Sequence, residues 1–170
     1  MAAAGGVPDR GAIAGRGRVF ISYSHHDSEW LDRIRVHLLP LERERSIDIW
    51  DDTRIGPGQD WRKEIRRALD TAVCAVLPVS PHFLASEFCS TGEIPNLLRG
   101  AGERGVLILP LNVSPCRFQE MPGEISTFQT VNAPSRTLSE MSTPECDRTL
   151  VKLAEAIQQC LRNAGKTTGA

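Results

Sequence analysis

The 170-residue chain lacks the marks of several function classes. It has no basic excess: 20 Lys and Arg stand against 21 Asp and Glu, a formal charge of −1. Nucleic-acid binders ordinarily gather a basic surplus, so direct contact with nucleic acid is not expected. No stretch approaches the roughly 20 apolar residues of a membrane span, and no membrane contact is expected. The five cysteines, Cys74, Cys89, Cys116, Cys146 and Cys160, are odd in number and none forms a Cys-x-x-Cys pair. Neither a disulfide framework nor a zinc site fits that spacing, and free thiols suit a reducing cytoplasm. No metal ligand set can be placed. Absent too are Gly-x-Gly-x-x-Gly and Gly-x-x-x-x-Gly-Lys after a strand, the two phosphate-cradling fingerprints, and Gly-x-Ser-x-Gly, the hydrolase elbow.

What is present is an alternation of strand and helix patterns in one domain-sized chain. Residues 1–17 read as a disordered tail, 18–163 as the folded domain and 164–170 as a second tail. Strands are expected to begin near Val19, Ile47, Val73, Val106 and Thr127. The runs Ala72–Val79 and Val106–Leu111 are apolar throughout, as in strands buried on both faces. Between strands, Trp30, Ile34, Leu38 and Leu41 recur at helical spacing, with Pro40 expected to end or kink that helix. Asp60 is a cap for a helix whose buried stripe is Trp61, Ile65, Ala68, Leu69 and Ala72. Its other face, Arg62, Lys63, Arg66 and Arg67, reads either as a solvated surface or as one that meets an acidic patch. Ser80-Pro81 caps a further helix, with Gly100 and Gly102 expected to close it. Thr143-Pro144-Glu145 opens the last. Such alternation means a parallel sheet with helices on both faces, and right-handed crossovers favour the flavodoxin-like order 2-1-3-4-5.

That order brings three loops to one rim: 24–28, 51–60 and the chain from Ser80. A ligand cleft is expected at this switch point. His25 and His26 read either as surface histidines or as a polar wall of the cleft. A phosphoacceptor receiver domain does not fit, because the paired acids Asp51-Asp52 follow the second strand and Ser80-Pro81 follows the third.

Three pieces then stand in order. They are Phe20-Ile21-Ser22-Tyr23-Ser24, then Trp50-Asp51-Asp52 with Ile55-Gly56-Pro57-Gly58 and Trp61, then Ser80-Pro81 with Phe83-Leu84-Ala85-Ser86-Glu87-Phe88-Cys89 and Glu93. Together they resemble a Toll/interleukin-1 receptor (TIR) domain of the bacterial type, from Arg18 to about Arg162. The resemblance implies the flavodoxin-like fold and one of two functions. The first is cleavage of the nicotinamide–ribose bond of NAD, held as substrate with no separate cofactor, on self-assembly in bacterial defence or signalling. The alternative is a catalytically silent scaffold acting by homotypic TIR–TIR contact. A sensor domain or partner chain is also implied.

Glu93 matches the family's catalytic acid and Phe88 the aromatic that borders the ring pocket. Substrate-binding residues are expected at Ser22, Tyr23, Ser24, His25, Asp52, Arg54, Trp61, Ser86 and Cys89. Asp51, Ile55, Gly56, Pro57 and Gly58 match the loop, called BB, that docks onto a neighbouring subunit. The family's usual spacing puts the acid four residues after the aromatic. Here that position is Gly92, and Glu93 stands fifth.

Overall fold

A computed structural model describes residues 16–86, 93–120 and 126–167. Among the described residues four strands, β1 (Gly17–Ile21), β2 (Ile47–Trp50), β3 (Ala72–Val79) and β4 (Leu107–Asn112), form one sheet in the order β2-β1-β3-β4. Every pair is parallel, with Val19 opposite Ile49 and Cys74, and Val76 opposite Leu109. Five helices are described: α1 (Ser28–Arg43), α2 (Trp61–Thr71), α3 (Pro81–Ala85), α4 (Glu93–Glu103) and α5 (Thr143–Thr167). No helix among the described residues is long and apolar enough to cross a membrane.

The period-two geometry of strands sorts the core into two layers. Val19 and Ile21, Ile47 and Ile49, Cys74 and Val76, and Leu109 and Leu111 share one face, where Ile34 and Leu38 of α1 and Leu150, Leu153 and Ile157 of α5 cover them. Phe20, Trp50, Ala75, Leu77, Val79 and Ile108 share the other, under Ile65, Ala68 and Leu69 of α2, Phe83 of α3 and Leu98 of α4. Phe20 and Trp50 stack across β1 and β2, ring centroids 5.3 Å apart. Burial on both faces is why these strands carry nearly unbroken apolar runs.

Two local expectations are corrected. The segment from Pro81 is not one continuous helix: α3 ends at Ala85, and among the described residues the next helix, α4, begins at Glu93. Neither Gly100 nor Gly102 closes α4. Gly105, at φ 98°, does so, with Gly105 N–H donating to Gly102 C=O and Val106 N–H to Ala101 C=O. That is the Schellman pattern, which needs a left-handed residue just past the helix end. Gly102 serves packing: a Cβ there would lie 3.0 Å from the Phe128 ring. Pro40 lies in the last turn of α1, which ends at Arg43, as expected.

The expected fifth strand near 127–131 is absent from the described sheet, and the chemistry of β4 explains it. Val131 N–H donates to Pro110 C=O at 2.9 Å, so residue 110 faces the open edge. A proline there has no N–H to return, and a ladder is broken at that position. One step on, the side chain of Asn132 takes the place of a strand. Its Oδ1 accepts from Asn112 N–H at 2.9 Å and its Nδ2 donates to Asn112 C=O at 2.9 Å, while Asn112 Nδ2 donates to Asn132 C=O at 2.6 Å. One side-chain amide thus satisfies both main-chain groups of a buried residue. Asn132→Ala should leave them unpaired and lower stability by about 2–3 kcal/mol, read by urea denaturation. A loss within experimental error would mean that water replaces the amide freely.

Candidate functional site

With β1 between β2 and β3, the loops leaving their carboxyl ends meet at one rim. After β1, Ser24 opens a short 3-10 turn, His25–Asp27, its Oγ accepting from His26 N–H. After β3, Ser80 caps α3 by accepting Phe83 N–H at 3.0 Å. The same buried hydroxyl donates to Asp27 Oδ2, tying the two loops together.

After β2, Asp51 is fully buried and accepts from Thr53 N–H at 3.0 Å, the Thr53 hydroxyl and Arg35 Nη2 at 2.7 Å. The loop then turns through Gly56–Gln59, with Gln59 N–H donating to Gly56 C=O and Gly58 at φ 80°. Pro at the second position and a left-handed Gly at the third are the requirements of a type II turn. Asp60 caps α2 by accepting from Arg62 and Lys63 N–H, which fixes Trp61 at the helix start.

These loops enclose a cavity of about 590 Å³ lined by Tyr23, Ser24, His25, His26, Asp52, Ile55, Trp61, Ile65, His82, Ala85 and Ser86. His25 Nε2 lies 2.6 Å from Asp52 Oδ2, and the Tyr23 and His25 rings are 5.6 Å apart. The His26 and His82 rings stack at 4.5 Å. Trp61 is 38% exposed at the mouth, not part of the buried α2 stripe as expected.

Six of the expected substrate-binding residues therefore line one cavity: Tyr23, Ser24, His25, Asp52, Trp61 and Ser86. Ser22 is buried and lines a small hollow that shares Tyr23, Asp52 and Ile65 with the cavity. The Ser22 hydroxyl and Asp52 Oδ1 have no hydrogen-bond partner among the described residues. Arg54 is elsewhere. Its guanidinium spans Asp48, at 2.8 and 3.3 Å, and Asp48 also accepts from buried Arg18. Of the expected docking residues, Asp51 is interior, whereas Pro57 and Gly58 are exposed and Ile55 turns into the cavity wall. Phe88 and Cys89 lie outside the described residues. Glu93 opens α4, and its side chain lies outside them as well.

His82 was the residue missed. It stands two positions after Ser80 in the rim segment already singled out, and only the adjacency of β1 and β3 brings it against His26. The buried role of Asp51 had a local signal, the Asp-x-Thr of an Asx turn.

The family model described as TIR domain matches residues 19–143. The chain is 28% identical over 153 residues to the uncharacterized protein y4lF of Sinorhizobium fredii, covering 89% of this chain and 46% of that protein. It is 34% identical over 71 residues to Toll-like receptor 6 of Mus musculus, covering 41% of this chain and 9% of the receptor. The chain thus spans less than half the length of these curated relatives. Among solved structures it is similar to the TIR domains of the activated Roq1 resistosome that directly recognizes the pathogen effector XopQ. That match has TM-score 0.49 and 17% identity, and covers 89% of this chain and 99% of that one.

The electrostatics of the cavity can be read at one residue. Tyr23 is the single tyrosine of the chain. Burial, then the carboxylates of Asp52 and Asp51, push its phenol from 10.0 up to about 12, against a smaller opposing pull from Arg35. The folded state holds the proton more tightly than the unfolded chain. The resulting stabilisation is whole below pH 10.0 and is lost as pH rises through about 12. Phenolate absorbance should titrate near 12 in the folded protein and near 10.0 in denaturant. Coincident midpoints would mean that the ring is neither desolvated nor beside those carboxylates.

Proposed function

The chain belongs to the TIR domain family, and from that premise we propose that it is an NAD glycohydrolase that releases nicotinamide and leaves linear or cyclic ADP-ribose. Its role would be in bacterial defence or signalling, with activity on self-assembly. The observation that supports this reading most is the rim cavity. Its volume suits a small organic ligand. Its wall carries aromatic surface at Tyr23 and Trp61 and the carboxylate of Asp52, whose Oδ2 faces His25.

Scission of an N-glycosidic bond passes through an oxocarbenium-like state. A carboxylate near the ribose stabilises the developing charge. Nicotinamide leaves as a neutral base, so no strong general acid is needed and one carboxylate suffices. Glu93 is the residue assigned that role. It begins α4, the helix on the crossover from β3 to β4, so the chain at this point is on the carboxyl side of the sheet. Assembly would use the exposed Pro57-Gly58 turn together with the neighbouring basic face of α2, where Arg62, Lys63, Arg66 and Arg67 are all exposed.

The second reading, a silent scaffold, is favoured by Gly92 at the family's usual acid position. It predicts no consumption of NAD even in the assembled state.

The test is nicotinamide release from NAD by concentrated protein. Release should rise more steeply than linearly with protein concentration. Glu93→Gln should lower it by about 10²–10³-fold without loss of fold. Glu87→Gln is the control, a carboxylate six residues earlier in the chain, and its effect should be far milder. Parental activity in Glu93→Gln with a dead Glu87→Gln would move the site to Glu87. No release in either the dispersed or the assembled state would favour the scaffold.

A further inference from the structure

The lining of the rim cavity contains no lysine or arginine among the described residues, although a dinucleotide brings a diphosphate. It contains three histidines instead. His25 and His26 come from the turn after β1, and His82 from α3. His25 is committed to Asp52, 2.6 Å away, so any charge it gains is answered by that carboxylate. His26 and His82 have no carboxylate partner among the described residues. Their rings stack at 4.5 Å with 20° between planes, both exposed toward the cavity.

We propose that His26 and His82 are the anion-binding element of this site, donating ring N–H groups to the diphosphate of a dinucleotide. The identity of that ligand rests on the glycohydrolase reading above. Two physical facts carry the assignment. A neutral stacked pair can offer donors, whereas two protonated rings at this separation repel each other. A diphosphate beside them reverses that balance, because each added proton then meets an opposite charge. Histidine is also the side chain whose charge ordinarily changes between about pH 5 and 8. Anion binding should therefore take up protons and strengthen as pH falls across that range.

None of the other charged or titratable groups around the pair is a cation of the cavity lining. Tyr23, on the β1 side, stays neutral, its phenol held up at about 12 by burial and by Asp52. Asp27, at the foot of the same turn, accepts the Ser80 hydroxyl. Asp52, from the loop after β2, is held by His25. From α2, Arg62 lies over the Trp61 ring, 5.5 Å from its centroid.

The test uses inorganic pyrophosphate and the intact chain, with the ring C–H resonances of its four histidines followed against pH. His37, bound to Asp147 at 3.2 Å between α1 and α5, is the internal reference. Pyrophosphate should displace the His26 and His82 resonances and leave those of His37 in place. His82→Asn should weaken pyrophosphate binding about tenfold and remove the effect at His26. Equal displacement of all four histidines, or none at His26 and His82, would overturn the assignment. Pyrophosphate bound as described by a protein that cleaves no NAD would leave the anion site standing and remove the glycohydrolase reading. Cleavage with unmoved His26 and His82 would do the reverse.

Discussion

The site depends on the central position of β1. Hydrogen bonding to β2 on one side and β3 on the other forces the three following loops to leave the sheet within reach of one another. The buried bond from Ser80 to Asp27 then locks the loop after β1 to the loop after β3. It is a high-stakes contact. Asp27 has lost most of its water, and a buried acceptor without its donor costs about 1–3 kcal/mol. Because Ser80 also caps α3, one hydroxyl couples the orientation of α3, and so of His82, to the turn that carries His25 and His26. The third wall is held in the same manner. Buried Asp51 fastens the loop after β2 to α1 through Arg35, and leaves the next residue, Asp52, to face His25.

A larger hollow, about 1100 Å³, lies at the opposite end of the sheet, among the starts of β3 and β4, the ends of α2 and α4, and α5. Size alone would favour it. Chemistry does not, because its wall is largely apolar, with Val73, Leu107, Phe128 and Ala156, its charged groups Asp70, Arg104 and Lys152 do not bring a histidine with them, and the Cys160 thiol there is pushed up by burial. Histidine rings, a carboxylate and an aromatic mouth converge only at the carboxyl rim among the described residues. This is where a parallel sheet with one central strand is expected to bind.

The parallel sheet was legible in the alternation of strand and helix patterns along the chain, and its order and the rim in the right-handed crossovers that such alternation requires. Apolar runs such as 72–79 and 106–111 read as strands covered twice, and Asp60 and Ser80 announce the helices that they cap. What was not legible depends on partners remote in sequence. Arg54 looked like a cleft cation, yet Asp48 on β2 claims it together with Arg18. The segment after Thr127 looked like a strand, yet its pairing is cut short by Pro110 and completed by one asparagine amide. Gly102 looked like a helix stop, yet it makes room for Phe128. In each case the residue type was read correctly for its local habit, and a tertiary neighbour decided its use.

The central claim is that the ligand site is the rim cavity formed by the three loops. Hydrogen–deuterium exchange with and without ADP-ribose tests it most directly, since it reports where the backbone is protected whether or not turnover occurs. The account predicts added protection in 23–27, 52–61 and 80–86, with 102–109 and 152–164 unchanged. Protection confined to 102–109 and 152–164 would place the ligand in the opposite hollow and contradict the account.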